Sequence, residues 1–310
     1  MKKIFIDGSA GTTGLNIYDR LRSRNDIEIL TPEEDKRKDP ETRLALLNEA
    51  DAAFLCLPDA ASVELMDAAA ARGAGKNTVV IDTSTAHRVS DGWTYGFPEL
   101  PGQREKIGNA LRIANPGCHA TGFIAAVRPL TDAGIIGKDA FLQCFSLTGY
   151  SGGGRKMIED YSLPERENDL RAPRVYGLSQ NHKHIPEMMK YSGIAVRPAF
   201  SPVVSSFYSG METVVTFRSP GLTPEDIGSV YSAFYTGSPV VFFNENGDEN
   251  GFLPAGKLSG SDRLELSAWG GNGIVTVAAR FDNLGKGASG AAIQNMNIAL
   301  GYSETEGLRL

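Results

Sequence analysis

Short apolar runs alternate with helical patterns from Lys3 to Ala114, and no other feature constrains the fold of this chain as much. Lys3–Asp7, Ile27–Leu30, Ala53–Leu57, Thr78–Ile81 and Leu111–Ala114 read as strands. Thr12–Arg24, Glu41–Glu49 and Ala60–Arg72 read as helices. This alternation predicts a parallel, doubly wound α/β sheet. The strands are apolar throughout, as expected where both faces of a sheet are covered. After Cys118 the pattern changes. Phe141–Leu147, Ala195–Phe207, Glu212–Arg218, Val240–Phe243, Arg263–Trp269 and Ile274–Phe281 read as longer strands, with Pro224–Tyr235 the clearest helix among them. That predicts an α+β domain with a largely antiparallel sheet and helices on one face. Gly287–Leu300 returns to a helical pattern. The expected division is 1–116, with the C-terminal segment 286–310 packing back on it, and 117–285.

Two domains are reasonable for 310 residues. The net charge of −6 gives no nucleic-acid footprint. No apolar run reaches the roughly 18 residues of a membrane span, so no membrane partner is expected. Ile4-Phe5-Ile6 is too short a run for a signal peptide. Three cysteines argue against a disulfide framework. Together these point to a reducing, cytoplasmic setting in which a thiolate stays usable.

Gly8-Ser9-Ala10-Gly11-Thr12-Thr13-Gly14 follows the first strand and opens a helix. In that context glycines let the backbone approach a pyrophosphate, and the helix N-terminus favours its charge. The first domain is therefore expected to be Rossmann-type and to bind a dinucleotide. No Asp ends the second strand, and Lys36-Arg37-Lys38 follow it. A basic cluster there suits a 2′-phosphate, hence NADP(H), although a solvated charge run reads the same way.

Cys118 lies in Asn115-Pro116-Gly117-Cys118-His119-Ala120-Thr121-Gly122, between an apolar run and an amphipathic helical pattern. A thiol at a helix N-terminus is stabilised as thiolate by N–H groups and the helix dipole. Cys56 and Cys144 lie inside apolar strand patterns and read as core residues. Asn181-His182-Lys183-His184-Ile185-Pro186-Glu187 holds two of the four histidines. Next to a proline the segment is expected to be extended, so that His182 and His184 face the same way. The pair suits either zinc, for which no third ligand is evident, or acid–base work beside Cys118. His119 reads as capping or lining the turn. Arg88, after the fourth strand, suits a phosphate. Gly149–Arg155 reads as a loop passing close to a ligand, and Asp282–Ala288 as a glycine-bracketed turn into the last helix.

Taken in order, Gly8–Gly14, Asn115-Pro116-Gly117-Cys118, Ser151-Gly152-Gly153-Gly154, His182-Lys183-His184-Ile185-Pro186-Glu187 and Asp282-Asn283-Leu284-Gly285-Lys286-Gly287 resemble the N-acetyl-gamma-glutamyl-phosphate reductases of arginine biosynthesis, in their shorter form. The resemblance spans essentially the whole chain, and the wider family includes aspartate-semialdehyde dehydrogenase. It implies a phosphorylating aldehyde dehydrogenase that uses NADPH to reduce N-acetyl-L-glutamyl 5-phosphate to the 5-semialdehyde through a Cys thioester. Cys118 would be the nucleophile and His184 the acid–base, with His182 and Arg88 on the substrate. Gly8, Ser9, Gly11, Thr12, Thr13 and Gly14 would hold the NADP phosphates, with Ser151, Gly152 and Asn283 along the cofactor. The resemblance implies no metal and a homodimer or homotetramer. One departure stands at His87, where the longer form has Phe before the matching Arg. The rivals are aspartate-semialdehyde dehydrogenase or another acyl-phosphate reductase, a nucleotide-binding regulator without catalysis, and a Cys–His hydrolase, which the dinucleotide turn disfavours.

Overall fold

A computed structural model describes Met1–Leu310, which divides into two compact units. The first comprises Met1–Pro116 with Ala288–Leu308; the second comprises Gly117–Gly287 with Arg309–Leu310.

The first unit is built on six parallel strands, β1 (Lys2–Asp7), β2 (Ile27–Leu30), β3 (Ala52–Leu55), β4 (Val79–Asp82), β5 (Thr94–Tyr95) and β6 (Arg112–Ala114). Their order is β2-β1-β3-β4-β6-β5. Between them run α1 (Thr12–Leu21), α2 (Pro40–Glu49), α3 (Asp59–Arg72) and α4 (Gln103–Gly108). The side-chain alternation of each strand feeds two cores. Ile4, Ile6, Ala52, Phe54, Val79 and Ile81 pack with Ile17 and Leu21 of α1 and with Ile293 and Met296 near the C-terminus. Phe5, Ala53, Leu55 and Val80 pack with Leu44 and Leu47 of α2 and Leu65 and Ala69 of α3. Both faces are covered, which is why the strands show no polar alternation. The winding reverses between β1 and β3, and their carboxyl ends are the switch point at which α/β sheets bind ligands.

The second unit carries α5 (Cys118–Asp132), β7 (Gln143–Gly149), α6 (Gly154–Ser162), β8 (Arg174–Val175), α7 (Ile185–Ser192), β9 (Ala199–Ser205), β10 (Met211–Arg218), α8 (Pro224–Phe234), β11 (Val241–Phe243), β12 (Leu264–Gly271) and β13 (Ile274–Phe281). The sheet order is β11-β12-β13-β10-β7-β9-β8. It is mixed: β11 with β12 and β7 with β9 are parallel, and the other pairings are antiparallel. Met211, Thr213, Val215 and Phe217 of β10 are buried on one face. α5 is the central helix of this unit, with Phe123, Ile124, Val127 and Leu130 fully buried. Tyr231 of α8 and the adjoining Tyr235 donate to the α5 carbonyls of Ala126 (2.7 Å) and Ala125 (2.9 Å). A π-helical turn, Gly285–Ser289, leads into α9 (Gly290–Leu300) of the first unit.

Three local expectations fail. Gly152 and Gly153 lie in a short 3-10 turn, Tyr150–Gly153, and Gly154 opens α6, so the segment is not an irregular loop. Extended backbone reaches only from Ala199 to Ser205, not from Ala195 to Phe207. The His182–His184 segment is not extended. It is a turn, with Ile185 N–H on the His182 carbonyl at 3.1 Å, and His184 caps α7 with helical dihedrals. Pro186 sits in the first turn of α7, where its missing N–H costs nothing.

Candidate active site

In the first unit, Gly8 follows β1 with φ +84°, and a Cβ there would lie 2.3 Å from the Cys56 carbonyl oxygen. β1 and β3 thus meet at the switch point through bare backbone. Gly14 is packed against Gly8 in the same way, at 2.4 Å. Gly11 differs: its nearest neighbour is an ordinary 3.4 Å away, and it caps α1 without a side-chain hydrogen bond. Ser9, Thr12 and Thr13 lie in the same turn and first helical turn. Beside them is a cleft of about 280 Å³ lined by Ser9, Ala10, Ile29, Thr31, Pro32 and Arg37. Of the basic cluster, Arg37 lines this cleft and lies 4.0 Å from Glu34, and Lys36 is paired with Glu33 at 2.6 Å. A glycine turn, a helix N-terminus without a side-chain cap and a cleft past β2 are the parts that a dinucleotide site requires.

Arg88 is buried rather than free at the surface. Its Nε donates to the Asn115 carbonyl (2.9 Å) and its Nη2 to the Thr83 carbonyl (3.0 Å). Two of its five N–H donors therefore tie together the segments after β4 and β6. His87 stacks on Trp93 at 4.1 Å and meets Asp82 through Nδ1 at 2.5 Å.

In the second unit, Cys118 is the first residue of α5, with Gly117 as its cap. It is only partly buried. A Cβ on Gly287 would come within 3.0 Å of Cys118 Cβ, so the π-helical turn brings bare backbone against the thiol residue. The other thiols differ in kind. Desolvation pushes Cys56 up to about 12, and burial raises Cys144 further still, so both are held as inert thiols.

α7 packs against α5. Buried Glu187 fixes the contact by accepting the Gly117 N–H at 3.1 Å. His184 is buried and His182 half-buried. Their rings meet edge to face at 4.7 Å, and the His184 N–H donates to His182 Nδ1 at 3.2 Å. His119 lies 5.5 Å from the His182 ring and 5.7 Å from the His184 ring. No group of three or more His, Cys, Asp or Glu side chains is arranged to hold a metal ion.

Ser151 and Asn283 come together. Asn283 Nδ2 donates to Ser151 Oγ (2.9 Å), its Oδ1 accepts the Gly210 N–H (2.9 Å), and Gly152 lies over Thr148 and Asn283. The sequence reading placed His119 at the turn and Glu187 in the histidine motif without a role for either, and missed Ser146 and Tyr176 as members of this region. The available signal was polar residues at buried, alternate positions of strands: Ser146 and Thr148 follow Cys144 along one face of β7.

Residues 3–110 match the family model described as semialdehyde dehydrogenase, NAD binding domain, and residues 118–283 match semialdehyde dehydrogenase, dimerisation domain. N-acetyl-gamma-glutamyl-phosphate reductase 2 of Nostoc sp. is 42% identical over 323 residues, covering 99% of both chains. The chain belongs to the N-acetyl-gamma-glutamyl-phosphate reductase family. Its Brucella anthropi relative of that name is 45% identical over 312 residues, covering 96% of this chain and 98% of the relative. Among solved structures, aspartate semialdehyde dehydrogenase from Francisella tularensis superposes with TM-score 0.73 at 14% identity, covering 96% of this chain and 99% of that one. Aspartate semialdehyde dehydrogenase II from Vibrio cholerae, complexed with ASA, gives 0.71 at 15%, covering 97% and 98%. At that distance the likeness is one of fold. The fold class read from the sequence, a parallel Rossmann-type sheet and a second α+β domain, is the one found.

Proposed function

We infer that this chain is an oxidoreductase that converts N-acetyl-L-glutamyl 5-phosphate to N-acetyl-L-glutamate 5-semialdehyde and phosphate in arginine biosynthesis. Cys118 carries the reading: it is the one thiol at a helix start, whereas burial raises the thiols of Cys56 and Cys144. Cys118 Sγ attacks the acyl phosphate carbonyl, and the C–O bond to phosphate breaks, leaving a thioester. His184 takes the thiol proton and returns it to the departing phosphate. A bound reduced nicotinamide would supply hydride to the thioester carbonyl. The tetrahedral oxyanion then collapses, expelling Cys118 thiolate and releasing the aldehyde. N–H groups at the α5 N-terminus stabilise charge on the sulphur and on that oxyanion. His182 and Arg88 orient the substrate's anionic groups.

The glycine turn and its cleft fit a nicotinamide dinucleotide, held by Gly8, Ser9, Gly11, Thr12, Thr13 and Gly14. Arg37 in the cleft supports NADPH over NADH. Ser151, Gly152 and Asn283 would contact the cofactor, and the working form is a homodimer or homotetramer. The deciding assay is phosphate-dependent oxidation of the semialdehyde, run with N-acetylglutamate semialdehyde against aspartate semialdehyde. Faster turnover of the N-acetylated substrate supports the reading; preference for the aspartyl compound overturns it.

A further inference from the structure

A row of buried polar side chains runs from the helix start into the sheet of the second unit, and none of it is used by the chemistry above. Thr213 Oγ1 lies 2.9 Å from Ser146 Oγ, which lies 2.7 Å from His119 Nδ1. His119 Nε2 lies 2.6 Å from the Tyr176 hydroxyl. Thr213 and Ser146 are fully buried, and His119 is 2% exposed. The packing makes room for the row. A Cβ on Gly122, one turn along α5, would stand 2.4 Å from Thr213 Oγ1, so the helix lacks a side chain where the threonine hydroxyl must fit.

We propose that His119 is a positioning residue that aims the Tyr176 hydroxyl as a hydrogen-bond donor at the negative charge formed on Cys118 and its substrate adduct. This rests on the reading of Cys118 as the nucleophile. Four groups must share their protons in one direction for Tyr176 to donate. Thr213 donates to Ser146, Ser146 donates to Nδ1, and Nε2–H donates to the Tyr176 oxygen. The phenolic proton is then left to point away from the row. This order requires a neutral imidazole, and burial lowers the His119 pKa to about 3, with the neighbouring His182 adding to the effect. Tyr176 stays a phenol because burial raises its pKa, and the Cys118 charge raises it further. No net proton transfer is assigned to the row; it orders a donor, which is what a preorganised oxyanion site needs.

The test is a double-mutant cycle on the full chain with cofactor and N-acetylglutamate semialdehyde. Tyr176→Phe is expected to lower kcat by about tenfold to a hundredfold, the loss of one charge-assisted hydrogen bond, with KM changed less than about threefold. His119→Leu should lower kcat to the same degree, and the double variant no further, because the two residues act as one unit. His119→Gln, which can still reach Tyr176, should recover most of the loss. Additive losses, or a His119→Leu enzyme with unchanged kcat, would overturn the proposal. If His119→Leu does not fold, Ser146→Ala and His119→Gln decide it: Ser146→Ala must lower kcat in the wild-type background and have no further effect in a Tyr176→Phe background, and His119→Gln must keep kcat close to wild type. Iodoacetamide modification of Cys118 separates the two readings. Full activity after modification sinks the nucleophile reading itself; lost activity with additive cycles sinks only the role of His119.

Discussion

Each of the three cysteines occupies a different environment, and that makes the chemistry at Cys118 testable residue by residue. Cys118→Ser should lower kcat by about a thousandfold or more, since a serine hydroxyl has no ready anion at neutral pH. Cys144→Ala should instead lower Tm, by an amount equivalent to about 1 kcal/mol for a small buried side chain, and leave kcat within about threefold. Comparable turnover of Cys118→Ser and wild type would end the covalent mechanism. The histidines are separable by pH. His184→Ala should slow acylation and remove a titrating limb from the kcat profile; His182→Ala should act mainly on KM. Loss of that limb in His182→Ala alone would show that the roles are reversed. The sequence exposed Cys118, His182 and His184 by residue type and spacing. It gave no sign that His119 turns inward to Ser146 and Tyr176, because those partners are 27 and 57 residues away.

Elements of the first unit were legible where periodicity was strong and illegible where it had no length to act on. β1, β2, β3, β4 and β6 were read to within a residue or two, but β5 is two residues long and carries no period. In the second unit α6 and α7 were missed. Gly154 opens α6, and Pro186 lies in the first turn of α7, so breaker residues here mark helix starts. The parallel pairing of β7 with β9 was equally invisible, since it spans a long connection containing α6 and α7. The glycine turn shows the converse: three glycines that look alike in sequence have different structural reasons. Gly8→Ala and Gly14→Ala each force a backbone clash and should cost about 2 kcal/mol or more, read as a large fall in Tm. Gly11→Ala has room, so Tm should hold within a few degrees. An added methyl in this turn should raise cofactor Kd by about tenfold. Equal Tm losses in all three variants would mean the turn is a purely structural device.

At the scale of the whole molecule, charge placed on the two units makes two further predictions. Arg37→Ala should erode the preference for NADPH over NADH by about tenfold or more in kcat/KM, the worth of a charge-assisted phosphate contact. An unchanged ratio would remove Arg37 from the 2′-phosphate. The second prediction concerns the sheet of the second unit, where Glu212 of β10 faces a cavity of about 240 Å³ with Asp248, Phe252 and Trp269. Arg280 is its cross-strand neighbour on β13, but that guanidinium is bonded to Glu265 and, at 2.6 Å, to Glu249. Desolvation therefore outweighs the attraction of Arg280 and raises the Glu212 carboxyl to about 7. The folded state then binds a proton more tightly than the unfolded chain, whose glutamate titrates near 4.3. Between those two values the folded protein holds the extra proton, so stability is greatest at the acid end of the window and falls as pH rises towards 7. The loss is on the order of 2–3 kcal/mol. Denaturant melts of wild type and Glu212→Gln from about pH 5 to about pH 8 measure it. Wild type should lose stability relative to Glu212→Gln, whose amide cannot ionise, and parallel curves for the two would mean that Glu212 is ionised and solvated throughout.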